Sequence, residues 1–193
     1  MRMLIFAAML AMAGAAHADP ATYILDPAHT QIAFSVDRFG YNHVLGRFDQ
    51  VAGEVVLDEA HPGNSRVHAI VQIASISTGN DTRDGHLRGE LWLNARQFAT
   101  MEFQSRSVQL TGEHTADVTG DLTLLGQTHP LTLHVTLNRI GDNPANHAHD
   151  AGFSATGALS RAAWGSAAAA SLIGDQVNIT IEALAERGPA TQQ

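Results

Sequence analysis

The chain has 193 residues, with 11 basic and 19 acidic side chains, 11 histidines, no cysteine and a formal net charge of −8. Apolar residues make up 45 % and charged residues 16 %, the balance of a globular protein rather than a disordered one. The lack of cysteine excludes disulfides, thiolate metal sites and a cysteine nucleophile, and the acidic balance argues against nucleic acid as a partner, because phosphate binding draws on Arg/Lys patches.

Residues 1–18 carry Arg2, an apolar run over 4–16 and an Ala16-His17-Ala18 cleavage pattern before Asp19-Pro20. This is the layout of a secretory signal peptide. The run is too short for a bilayer, which needs about 20 residues, and no later stretch comes near that length, so no stable membrane span is expected. The expected organisation is a signal peptide over 1–18 and a single domain over 19–193. The short basic start and Ala-rich run are of a bacterial kind, which makes the periplasm the expected destination. No GxxxxGK[ST] or GxGxxG phosphate loop occurs.

Along the mature chain, Ile32, Phe34 and Val36 alternate with Gln31, Ala33, Ser35 and Asp37, the period of a strand with one apolar face. Weaker alternation follows at 50–58 and 65–77. Asp81 or Thr82 then caps a short helix through Leu87, with Arg83, Asp84, His86 and Arg88 mostly outward, and a second turn is expected over 94–100. Further strands are expected at 102–110 and 116–125. Leu131, Leu133, Val135 and Leu137 alternate with Thr132, His134, Thr136 and Asn138. Another run covers 152–160. Residues 162–171 are Ala-rich and read equally as helix or loop. Val177, Ile179, Ile181 and Ala183 alternate with Gln176, Asn178, Thr180 and Glu182, and the tail over 186–193 reads as frayed. His61-Pro62-Gly63-Asn64, Leu125-Gly126-Gln127 and Gly141-Asp142-Asn143-Pro144 are turn signals. About eight short strands with little helix give an all-β chain, either a sandwich or an up-and-down barrel. The pattern does not choose between them, and only a barrel holds a small ligand inside.

A set of ordered motifs adds to this. They begin with Tyr23-Ile24-Leu25-Asp26-Pro27-Ala28-His29-Thr30, Phe34-Ser35-Val36, Gly40 and Val44-Leu45-Gly46-Arg47-Phe48. Ser77-Thr78-Gly79-Asn80, Arg83-Asp84, His86-Leu87-Arg88 and Phe103-Gln104-Ser105 follow. Next come Val118-Thr119-Gly120-Asp121-Leu122-Thr123-Leu124, Gly126 and His129-Pro130-Leu131. Gly152-Phe153, Ser160-Arg161, Trp164-Gly165 and Gly174-Asp175-Gln176-Val177 complete the series. In order and spacing the chain resembles the YceI-like family of periplasmic, lipocalin-like proteins. It departs from the family in having Arg38 before Phe39-Gly40 instead of a histidine. It also has Leu91-Trp92-Leu93 and Gln97-Phe98-Ala99-Thr100 where an acidic-aromatic turn and Tyr-Pro are usual. The resemblance implies an eight-stranded antiparallel lipocalin-like barrel with one or two short helices. Its apolar cavity would take a polyisoprenoid or an isoprenoid-quinone chain, carried as cargo rather than kept as a cofactor. A homodimer through an exposed barrel face is the further partner the resemblance allows.

The candidate ligand-binding residues are the inward positions of the clean strands: Ile32, Phe34, Val36, Leu131, Leu133, Val135, Ile179 and Ile181. Phe39, Leu45, Phe103, Leu122, Phe153 and Trp164 join them. The same alternation would serve a filled core. The Arg83-Asp84-x-His86-Leu87-Arg88 cluster reads as a charge-paired cap on one barrel end. Its catalytic alternative has Asp84 orienting His86 as a base against an apolar substrate, and in a further reading Arg83 or Arg88 meets a ligand head group. No nucleophile elbow accompanies the cluster, so no catalytic residue is assigned. His147-x-His149-Asp150 is the best local group for a metal or interaction module. It sits in a loop without the tight helical ligand spacing of a zinc site, and no metal is assigned. His68 and His134 alternate with apolar residues and are expected to face water.

Overall fold

The structure is a computed structural model and describes residues 19–189. The signal-peptide reading of 1–18 lies outside the described residues. Among the described residues eleven strands form, namely β1 (Ala21–Leu25), β2 (Gln31–Arg38), β3 (Asn42–Phe48), β4 (Val51–Leu57), β5 (Arg66–Gln72), β6 (Ile76–Ser77), β7 (Thr100–Leu110), β8 (Thr115–Leu124), β9 (Gln127–Asp142), β10 (His149–Ser160) and β11 (Ile173–Arg187). All pairings are antiparallel, and the sequence β1-β4-β5-β7-β8-β9-β10-β11 closes on itself through β1–β11. The eight-stranded barrel expected from the motifs is therefore the fold, and the sandwich is excluded.

The remaining strands complete the wall rather than add to it. β1 and β2 both run along β11, at Leu25↔Ala185 and at Ile32↔Ile181. β3 pairs β2 and β6, while β4 pairs β1 and β5. Each of β1/β2, β3/β4 and β5/β6 is thus one wall strand, interrupted midway. In the first interruption Asp26 turns the chain, its carboxylate accepting Ala28 N–H at 2.8 Å and facing His29 Nδ1 at 2.5 Å. The other two interruptions lie side by side. Asp49 N–H donates to Ser75 O and Gln50 N–H to Ser75 Oγ, so the broken backbone keeps its partners.

Alternation sets what faces inward. On β9, Leu131, Leu133, Val135 and Leu137 point in, while His134 points out and pairs Asp117 at 2.6 Å. His68 likewise meets Glu102 across the outer face at 2.6 Å. The expected helix forms as α1 (Asp81–Arg88), but its cap is Asn80 rather than Asp81 or Thr82, and the Asn80 side chain accepts Arg83 N–H at 3.0 Å. Of the turn expected over 94–100, residues 95–97 form it, with Gln97 and Phe98 N–H donating to Asn94 O, while Thr100 already starts β7. The Ala-rich stretch gives a single 3-10 turn, Arg161–Trp164, which stops at Gly165 in the left-handed conformation. Because the meander is regular, α1 and residues 161–172 share one barrel end. Residues 58–65, 111–114 and 143–148 share the other.

Candidate ligand-binding site

The barrel encloses a cavity of about 540 Å³, within the roughly 300–1,000 Å³ of small-molecule pockets. Its wall is apolar along most of its length. Ile32, Phe34, Val36, Phe103, Leu122, Leu131, Leu133, Val135, Phe153, Ile179 and Ile181 all line it, as the alternation predicts. Three other candidates do not. Leu45 is 69 % exposed because it shares the outer face of β3 with its cross-strand partner Ser35. Phe39 sits at the β2–β3 hairpin tip with φ 59°, under the Arg38 guanidinium at 4.2 Å. Trp164 is buried, but in the packing beside the wall. Its Nε1 donates to Leu122 O at 3.0 Å and its ring meets His129 edge-on.

Lining residues outside the candidate set occur on the long strands, such as Val108, Val118 and Ala155, and also on the interrupted strands and the loops. Val51, Val55 and Val71 belong to the interrupted strands, and Trp92, Leu93 and Arg161 to the loops. Val51 and Val55 fall in the weak alternation over 50–58, and Val71 in that over 65–77. Arg161 appeared only within the Ser160-Arg161 motif and not as a cavity residue, since a charged residue after a strand reads as surface.

The two ends differ. At the α1 end the lining residues Ile76, Leu124, Arg161 and Ser166 are buried, and Leu87 of α1 and Leu93 cover them. At the other end Leu110 is 53 % exposed and Glu59, Glu113 and His114 stand in water, so the cavity opens there. Tyr23 is fully buried near this mouth. Burial, helped by the Glu59 charge, holds its phenol above the usual value. Asp58 anchors the mouth loop, accepting His61 N–H at 2.8 Å and Asn64 Nδ2–H at 3.3 Å.

The other polar clusters stand apart from the cavity. Asp84 is buried and turned toward Thr78, whose N–H and Oγ1–H it accepts, while His86 is exposed. Neither lines the cavity, so the structure does not supply the inward Asp84–His86 pair that the catalytic alternative needs. Arg83 donates to Thr78 Oγ1 and Thr78 O, and Arg88 to Ala74 O and Ile76 O. Both guanidiniums therefore clip α1 to the wall, and neither lines the cavity. In the histidine loop, His149 pairs Asp142 at 2.9 Å and Asp150 accepts from Asn143. Among the described residues no group of three or more metal-ligating side chains assembles. Among the same residues no helix is long and apolar enough to cross a membrane.

Residues 23–185 match the YceI-like domain. The chain belongs to the YceI-like family. A Pseudomonas savastanoi relative named UPF0312 protein is 34 % identical over 151 residues, covering 77 % of this chain and 78 % of the relative. Among solved structures, Burkholderia cenocepacia BcnA superposes with a TM-score of 0.75 at 21 % identity, over 83 % of this chain and 98 % of BcnA. A polyisoprenoid binding domain from Saccharophagus degradans superposes with a TM-score of 0.65 at 17 % identity, over 88 % and 99 % of the two chains. At these identities the structural likenesses establish the shared barrel.

Proposed function

We propose that this YceI-like protein binds a polyisoprenoid or isoprenoid-quinone chain in its barrel, and serves as a periplasmic carrier or buffer rather than an enzyme. The observation that carries this reading is the largely apolar wall of a cavity of about 540 Å³, whose exposed mouth lies at the end formed by residues 58–65 and 111–114. A chain of isoprene units is insoluble, and each CH₂ withdrawn from water contributes about 0.8 kcal/mol. A dry tube of Leu, Ile, Val and Phe supplies that burial without reactive groups. The polyisoprenoid binding named for the Saccharophagus degradans neighbour supports the ligand class. The leader read at 1–18 supports the compartment.

The test is to express the full chain, extract the folded protein with organic solvent, and identify the extract by mass spectrometry. A polyisoprenoid or quinone at close to one equivalent is expected. Folded protein that yields an empty extract and takes up no added polyisoprenoid would overturn the proposal.

A further inference from the structure

Arg161 is a buried charged side chain at the closed end of the cavity, 7 % exposed. Its Nε donates to Gly174 O at 2.9 Å, one Nη to Ser166 O at 2.6 Å and the other to Ile173 O at 2.9 Å. The guanidinium carbon lies 5.6 Å from the ring centre of Trp92, which also lines the cavity. Among the described residues, the arginines in ion pairs are Arg47 with Asp49 and Arg106 with Asp121, and Arg161 has none. Asp175 feels its charge but is exposed and stands beyond ion-pair distance.

A guanidinium has five N–H donors, and three neutral carbonyls leave two donors unused and no anion within ion-pair distance. Buried charge is retained only where it is paired or hydrogen-bonded, because the loss of water is costly. A hydrocarbon terminus packed here would leave that deficit in place. An acceptor oxygen would remove it, and the flat fork beside an aromatic face suits a planar carbonyl or carboxylate group. The charged groups of the mouth are placed differently. Glu59, Glu113, His114 and Arg66 there are exposed and screened by water.

Resting on the cavity-binding reading above, the geometry points to a head-in orientation. The Arg161 guanidinium beside Trp92 receives an acceptor oxygen on the head group of the ligand, and the apolar tail runs back along the wall toward the mouth. This makes Arg161 a specificity residue that selects oxygen-bearing amphiphiles over plain hydrocarbons.

Three probes separate the possibilities: decylubiquinone with neutral carbonyls, oleate with a carboxylate, and squalene with no oxygen. Each is titrated into the delipidated protein and into Arg161→Met. Head-in binding predicts that the variant weakens at least one oxygen-bearing probe by about tenfold or more and changes squalene less than about twofold. The weakened probe identifies the oxygen source. Trp92 supplies a second readout that does not depend on Arg161→Met folding. In Trp164→Phe, Trp92 is the remaining tryptophan of the two, and a quinone ring docked beside it quenches most of its emission. If all three probes bind, Arg161→Met alters none of them and Trp92 is not quenched, the head-in inference is wrong and the cavity reading stands. If the folded wild-type protein binds none of the three, both fall.

Discussion

Gly46 and Phe34 face each other across β2 and β3, and the glycine is what lets the Phe34 ring lie against the wall. A Cβ on Gly46 would stand 2.3 Å from Phe34 Cζ and 2.8 Å from Thr78 Cγ2. Gly120, opposite Ser105 and diagonal to Phe103, leaves room in the same way, since a Cβ there would stand only 2.6 Å from Phe103 Cζ. Both phenylalanines line the cavity. The open volume thus depends on residues with no side chain, placed where a neighbouring ring folds back.

Gly46→Val should therefore swing the Phe34 ring into the cavity. Overpacking of this kind costs about 1–3 kcal/mol, and uptake of a long isoprenoid should fall with it. Phe34→Ala in the same chain removes the obstruction, so the double variant should recover both stability and uptake relative to Gly46→Val alone. Thermal melts and a chain-uptake assay on the three variants form a cycle. Strict additivity would show that the contact does not shape the cavity.

Filling the cavity directly is the complementary experiment. Ala155 is buried, lines the cavity and pairs Val135 and Ile181, which line it too. Ala155→Phe puts a ring into empty space, so folding should survive while uptake weakens by about tenfold, equal to about 1.4 kcal/mol. Leu45→Ser, on the outer face, should leave uptake unchanged. Equal losses in the two variants would remove the case for the cavity as the binding site.

The mouth loop should depend on pH. The Asp58 carboxyl is held below its usual value, chiefly by the His61 N–H and then by the Asn64 amide. A carboxyl with a lowered value in the fold stabilises it above the unfolded value of about 3.9, and that contribution disappears as pH falls through the folded value. Asp58→Ala should melt below wild type at neutral pH, with the gap closing as the pH drops below about 4. Asp26, lowered chiefly by its hydrogen bond to His29, and Asp175, lowered chiefly by Ser160, add to the acid sensitivity of the wild type. A gap that stays constant from neutral to acid pH would dissociate Asp58 from the loop.

Long uninterrupted strands were legible because one face meets the interior and the other meets water. β9 and β11 alternate cleanly at Leu131 to Leu137 and at Val177 to Ala183 for that reason. β1 and β3 left no readable period, since five residues are too few in one case and Gly46 blanks an inward position in the other. Parity failed at Val44-Leu45, where two adjacent apolar residues give no sign of which one points in, and Leu45 took the outer face. Whether the inward residues met each other or an open space was beyond any pattern, because both arrangements demand the same alternation. Arg161 was hidden for a different reason: its partners are backbone carbonyls, which no side-chain motif announces.

The polar cluster on α1 should behave as a fastening of the closed end. Asp84 accepts Thr78 N–H at 2.9 Å, and Arg83 and Arg88 hold carbonyls of the adjoining wall segment. Asp84→Ala leaves the Thr78 N–H without its acceptor, a loss of about 1–3 kcal/mol for a buried group. Since Leu87 and Leu93 cover the cavity from this helix and the turn after it, joined by Leu93 N–H to Leu87 O at 3.0 Å, loosening α1 should unseal that end. Amides of α1 should then exchange faster, and bound isoprenoid should leave faster than from wild type. His86→Ala, at an exposed position, should shift stability by no more than about 0.5 kcal/mol and leave retention unchanged. A His86 variant that lost function while remaining folded would return the catalytic reading to consideration. An Asp84 variant with wild-type exchange and retention would show that the closed end is held elsewhere.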